Sequence, residues 1–407
     1  MAKQHSVTDI LRQYHPVPDR FDELGSMGSG PKSHWRPLLK QLNLESVDSL
    51  NIRAQAVSNA IAEDGVTYNV YEDPRGDSRP WEVDLLPLVL GADEWQWLSK
   101  SVAQRAELLD SVLADLYGEQ SLLKEGLMPP ALVYGQAGFQ WPCQGIEPAG
   151  GRFLHLYAVD LARAPDGGWW VMADRTQAPS GAGYALQNRL VISRAFPAPF
   201  HNLPVTNLSE FFQGFQNSLA GMSPAGSESP LCVLLTPGRF NETYFEHVFL
   251  ARYLGLPLVE GQDLTVRDDT VYLKTLQGLR RVHAIYRRLD DGFCDPLELR
   301  ADSVLGIPGL LGAVRAGKVL MANALGSGVL ESAALFGFLP EISKKLLGSP
   351  LAMPSVASWW CGEKPALDYV IEHLDELVIK PAFASMRMEP VFGYQVKGEE
   401  RDALIKK

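Results

Sequence analysis

The stretch WWVMADRTQAPSGAGYALQNR, Trp169 to Arg189, gathers residue types that chemistry uses. An apolar run ends in Asp174. Arg175 follows, then a loop of small residues, Pro179-Ser180-Gly181-Ala182-Gly183, then the polar cluster Gln187-Asn188-Arg189. Magnesium takes hard oxygen donors, so Asp174 with the amide oxygens of Gln187 and Asn188 makes a candidate ligand set if the loop folds back. Arg175 and Arg189 suit bidentate contact with a phosphate or a carboxylate. Ser180 and Gly181 lie where backbone N–H groups can approach an anion. A strand, a tight turn and strand-end salt bridges account for the same residues more simply.

Three further clusters carry the same double meaning. In TPGRFNETYFEH a strand runs into a Pro-Gly turn and a helix, with Asn241 expected as the N-cap and Glu242 in the first turn. Such a corner holds anions or substrates, and it is also an ordinary capped βα loop. In YRRLDDGFCDP, Arg287, Arg288 and Asp290 close an apolar strand. They could hold a zwitterionic substrate or neutralise one another in a surface turn. In LVIKPAF, Lys380 is expected inside an apolar strand, directly before proline. A buried ammonium needs an anionic partner such as a nucleotide phosphate, or else an exit to solvent. The histidines are scattered, with no H-x-x-x-H spacing, and GSMGSG and NALGSGVLES are neither a Walker loop nor a complete G-x-G-x-x-G fingerprint.

The elements that must position these residues follow from periodicity. Residues 1–65 read as a helical segment broken around GSMGSG. VTYNVYED alternates as a strand, and EWQWLSKSVAQRAELLDSVLADLYG has the spacing of a long amphipathic helix, with a second helix after Gly118. RFLHLYAVDLARAPDGGWWVMAD reads as a hairpin about Pro165-Asp166-Gly167-Gly168. After a linker at 220–230, LCVLLTPG, NETYFEHVFLARYLG and LPLVEG give a β-α-β pattern and hence a parallel sheet. LTVRDDTVYLKT reads as a hairpin and VHAIYRRLDD as a further strand, while SAALFGFLPEISKKLLG reads as a helix.

Bulk composition narrows the function classes. The chain has 407 residues, 46% hydrophobic and 21% charged, which suits a globular α/β protein of two or more domains. A net charge of −11 argues against a general nucleic-acid or anionic-membrane binder. Four dispersed cysteines, no secretory leader and no long apolar run lead to the expectation of a cytoplasmic protein.

RPWEVDLLPLVL, DRTQAPSGAGYALQNR, LLTPGRFNETYFEHVFLARYLGLPLVEGQDLTVRD, YRRLDDGFCDPLELRADSVLGIPGLL and ANALGSGVLES, taken in order, resemble the circularly permuted ATP-grasp family (type 2), which is related to glutathionylspermidine synthase and glutathione synthetase. The resemblance implies a glutathione synthetase-like α/β (α+β) fold with a parallel α/β substrate subdomain and a partial nucleotide-binding subdomain. It divides the chain into the helical segment 1–65, a catalytic and metal-binding part at 66–225, an α/β substrate subdomain at 226–325 and an incomplete start of the nucleotide-binding subdomain at 326–407. ATP and Mg2+ are the implied cofactors. The implied activity is a carboxylate–amine ligase of peptide or polyamine type, acting through an acyl-phosphate on small-molecule or peptide substrates. In that scheme Asp174, Gln187 and Asn188 hold the metal. Lys380, Ser180 and Gly181 meet the nucleotide, and Arg175 and Arg189 stabilise developing charge. Asn241, Glu242, Arg287, Arg288 and Asp290 line the substrate site.

Three departures belong to the same comparison. Gln187 stands where relatives carry glutamate, Ala333 lies where some carry a phosphate-contacting lysine, and the family continues past Lys407, so the chain reads as C-terminally truncated. A catalytically degenerate ATP-grasp scaffold that binds peptide or protein partners is the alternative.

Overall fold

A computed structural model describes residues 14–26, 30–42, 46–68, 79–226, 228–383 and 388–406. The N-terminal layer holds helices α1 (Arg36–Leu42) and α2 (Val47–Glu63), where one continuous helical pattern was expected. Ser46 caps α2 by accepting from the Ser49 N–H at 3.1 Å. In the alternating stretch after it, Thr67–Tyr68 pair antiparallel with Arg79–Pro80, and residues 69–73 of the expected strand lie outside the described residues.

Helix α3 (Ala92–Tyr117) fulfils its amphipathic pattern. Asp93 and Glu94 occupy its first turn, where acids complement the helix dipole. Leu108, Leu109, Val112, Leu113 and Leu116 are sealed in the main core. Each such leucine contributes about 1.5–3 kcal/mol by leaving water. The expected hairpin is strand β1 (Ala158–Arg163) antiparallel to β2 (Trp169–Arg175), so that Val159 faces Asp174.

The stretch after β2 differs from its expected loop. Gly181, at φ +114°, starts helix α4 (Ala182–Ala195), which stops before Pro197. Gln187, Asn188 and Arg189 therefore ride on a helix. Helix α5 (Ser209–Met222) occupies the start of the stretch expected as a linker.

The β-α-β prediction holds. Strand β3 (Cys232–Leu235), helix α6 (Tyr244–Leu254) and strand β4 (Leu258–Val259) are followed by an antiparallel sheet. That sheet has three strands rather than two: β5 (Leu264–Arg267), β6 (Thr270–Thr275) and β7 (Gly278–Arg281). Strands β8 (Ala284–Arg287) and β9 (Leu320–Ala322) complete a parallel sheet ordered β9-β8-β3-β4. Its register aligns Ala284 with both Cys232 and Leu320. Strands β3 and β8 are buried throughout, which is why they read as continuous apolar runs rather than alternating ones.

Beyond β9 the expected helix begins late. A short 3-10 turn, Ala333–Leu335, precedes α7 (Leu339–Leu347), with Pro340 in its first turn. A two-stranded antiparallel pair, β10 (Val378–Ile379) and β11 (Val391–Phe392), lies near the C-terminus. A separate apolar cluster joins the N-terminal layer to α4: Trp35, Leu38, Leu42, Val57 and Ile61 pack with Tyr184, Val191, Ile192 and Phe196.

Candidate active site

Ligands in parallel α/β sheets gather beyond the carboxyl ends of the strands. Here that edge carries Thr236 after β3, Arg287-Arg288 at the end of β8 and Asn323 after β9. The stretch 176–183 folds onto it. Asn323 is the joint: its Oδ1 accepts from the His155 and Leu156 N–H groups at 2.7 and 2.9 Å. Its Nδ2 donates to the Leu156 and Thr176 carbonyls at 2.6 and 2.7 Å. One buried amide thus has all its bonding capacity satisfied, and it ties hairpin, loop and sheet together.

Arg287 is completely buried. It donates to the carbonyls of Asn323, Leu289 and Ala324 at 2.8, 2.8 and 3.1 Å and to Ser327 Oγ at 3.1 Å, and it pairs with Asp291. Burial raises the Asp291 pKa despite the neighbouring Arg287 charge. Asp291 also accepts from the Gly328 N–H at 3.1 Å, and its own N–H donates to Gln177 Oε1 at 2.7 Å. Arg288 donates to Glu246 at 3.0 Å and to the Pro179 carbonyl. Both arginines are spent inside the protein, and Asp290 is the exposed member of that cluster.

The amides of Gly181 and Gly183 are occupied too. Both donate to Glu246 Oε1, at 2.7 and 2.8 Å. A Cβ at Gly183 would lie 2.7 Å from Glu246 Cγ, so glycine there is what admits the glutamate. Ser180 is exposed.

Asp174 receives a bidentate pair from Arg105 of α3, Nε and Nη2 each at 2.7 Å, and a hydrogen bond from the Tyr157 hydroxyl. The side chains of Arg105 and Asp174 are each 1% exposed. Burial works against the Arg105 charge, but Asp174 outweighs it and holds the guanidinium's pKa above its ordinary value. The Tyr157 phenol is pushed far up by burial and by the adjacent carboxylate.

Gln187 and Asn188 face elsewhere. Gln187 donates to Asp64 Oδ2 at 2.6 Å, and Asn188 Oδ1 accepts from Trp81 Nε1 at 2.8 Å. The three expected magnesium ligands thus have three separate sets of protein partners. No group of three or more His, Cys, Asp or Glu side chains suited to a metal occurs among the described residues. As arranged, Asp174, Gln187 and Asn188 do not fit a magnesium ion.

The remaining expected residues divide by exposure. Arg175 is half-exposed and pairs with Asp160 at 2.8 Å. Arg189 donates to the Thr206 carbonyl at 2.8 Å, and burial lowers its pKa. Asn241 is not the helix cap. Thr243 is, and Asn241 Oδ1 accepts from its N–H at 2.9 Å. Glu242 is exposed and accepts from the Tyr68 hydroxyl at 3.0 Å. Lys380 follows β10 instead of lying within it, and it is exposed; the strand ends at Ile379, so its ammonium takes the solvent exit.

Sequence reasoning missed Arg105, Tyr157, Glu246, Asn323 and Glu331. Glu331 Oε1 accepts from the Thr176 and Gln177 N–H groups, both at 2.8 Å, and burial raises its pKa. His247, bonded to Thr236 at 2.9 Å and Thr243 at 3.2 Å, is held down to about 2 by burial and by Arg288. A long amphipathic helix with an arginine on its apolar face was the one available signal, and Arg105 is that residue.

The mixed α/β fold is that of an ATP-grasp protein, a scaffold of ATP-dependent ligases. Residues 87–407 match the family model described as circularly permuted ATP-grasp type 2, and the chain belongs to that family. An uncharacterized protein of Synechocystis sp. is 36% identical over 391 residues, covering 96% of this chain and 81% of that protein. An uncharacterized protein of Mycobacterium tuberculosis is 37% identical over 368 residues, covering 88% of this chain. The match spans 42% of that relative's length. Among solved structures, a glutathione synthetase like-effector from Globodera pallida in apoform aligns with a TM-score of 0.49 at 12% identity, covering 79% of this chain and 73% of that one. No helix among the described residues is long and apolar enough to cross a membrane.

Proposed function

We propose that the chain acts in an ATP-dependent carboxylate–amine ligase reaction of peptide or polyamine type. ATP would phosphorylate a carboxylate, an amine would attack the acyl-phosphate, and amide, ADP and phosphate would leave. Membership of the ATP-grasp family over 87–407 is the observation that carries this. Such chemistry needs charge stabilisation and alignment more than a protein nucleophile. The exposed side chains that would serve it are Arg175, Ser180, Asp290 and Glu242, with Lys380 for the nucleotide phosphates. Arg287 and Arg288 then hold the edge rigid from within.

A second reading is a non-catalytic ATP-grasp scaffold that binds peptide or protein partners. The closed pairing of Asp174 with Arg105 favours it. Hydroxylamine trapping decides between them. With ATP, Mg2+ and a panel of amino-acid and peptide carboxylates including glutathione, ligase activity gives hydroxamate and stoichiometric ADP. Absence of both products would favour the scaffold.

A further inference from the structure

We infer that the stretch from Asp174 to Gly183 is self-ligated: Arg105 stands at Asp174 where a metal cation would otherwise sit, and Glu246 stands at the Gly181 and Gly183 amides where a ligand anion would. The two ends of the stretch carry the two features that made it look like a metal and phosphate site. Each is met by a buried side chain of opposite charge from a different helix.

At the first end the geometry is that of a finished pair. Two parallel N–H donors reach the two Asp174 oxygens at 2.7 Å each, and the Tyr157 hydroxyl adds a third donor to Oδ1. A divalent ion needs unshared carboxylate lone pairs and room for its waters. Here a guanidinium covers the carboxylate edge, with the Phe336 ring centroid 5.2 Å from its central carbon. Among the described residues Arg105 Nη1 has no hydrogen-bond partner, and it is buried, so solvent does not reach the guanidinium from that side.

At the second end, Glu246 is fully buried, and one of its oxygens takes both amide N–H groups at the start of α4. Its other oxygen takes Arg288. Backbone donors and a guanidinium around one carboxylate are what an anion site offers a ligand. The protein supplies the anion itself, and the absent side chain at Gly183 makes the approach possible.

The stretch is therefore a preassembled wall of the edge. Any divalent cation arrives with the nucleotide and is not gathered by Asp174. Arg105 and Glu246 are positioning residues. They fix where Thr176, Gln177 and Ser180 stand.

The test needs no turnover, so it stands apart from the ligase reaction. Mn2+ alone is titrated into the wild-type chain and into Asp174→Asn, with free Mn2+ read by electron paramagnetic resonance. The affinities should agree within about twofold, since a carboxylate already committed to a guanidinium contributes no binding. A loss of about tenfold or more in Asp174→Asn overturns the cation half. Removing one member of a buried pair can unfold a protein, so Arg105→Met is compared with the double variant Arg105→Met/Asp174→Leu. Most of the melting temperature lost in the single variant should return in the double. A double variant no more stable than the single would show that the pair is not the anchor. For the anion half, acetate should raise the melting temperature of Glu246→Ala more than that of the wild type, by filling the vacated cradle. Equal responses would overturn it.

Discussion

The carboxyl edge of the parallel sheet and the β10–β11 pair place their charges in opposite ways. At the edge, Arg105, Arg287 and Arg288 are all buried, and each faces a buried carboxylate: Asp174, Asp291 and Glu246. At the strand pair, Lys380 is exposed, and Val378 and Phe392, which face each other across it, are 44% and 43% exposed. The first region spends its charge on holding shape. The second keeps charge and apolar surface open to solvent. A charged residue at the edge is therefore open to a ligand only where no buried partner already holds it.

The sharpest way to break this contrast is Arg287→Met. It leaves Asp291 buried without its counter-charge and several carbonyls without donors, and should cost about 3–5 kcal/mol in denaturant unfolding. A loss near zero would place Arg287 among the dispensable surface charges. Acid titration probes the same edge through His247. Its pKa is depressed from 6.5 to about 2 in the folded chain, so the unfolded chain binds a proton that the folded one refuses. Its contribution to stability is whole above pH 6.5 and drains as the pH falls toward 2. In His247→Gln, denaturation midpoints measured across that range should fall less steeply with acid than in the wild type. Trp81→Phe removes the donor to Asn188 while keeping a ring against Tyr184, whose centroid lies 4.3 Å away. It should cost about 1 kcal/mol by thermal unfolding. The mildest change is Lys380→Ala, expected to shift stability by less than about 0.5 kcal/mol. Calorimetric titration with ATP should still show weakened nucleotide affinity. A large stability loss there would erase the difference between the two regions.

Much of the architecture was legible in residue order. The period of α3, the Pro-Asp-Gly-Gly turn and the buried runs of β3 and β8 each report a local rule that tertiary packing did not override. Helix α4 escaped because its start is a run of Ser-Gly-Ala-Gly, poor in helix propensity. It forms because Glu246 receives its first amides and the N-terminal layer covers its apolar face. The candidate site was legible only as residue types. Asp174 and Arg105 are 69 positions apart, Glu246 and Gly183 are 63 apart, and no period or motif links them. The alternative offered by the opening stretch, a strand-end salt bridge, is what Asp174 makes, with Arg105 on the apolar face of α3 as its partner.

The N-terminal layer has a practical consequence. The family match begins at residue 87, yet Trp35, Leu38, Val57 and Ile61 cover Tyr184, Val191, Ile192 and Phe196 on α4. A fragment trimmed to the family boundary would bare that greasy stripe to water. It should come out of the cell clumped or chaperone-bound, and inactivity in such a preparation would say nothing about catalysis.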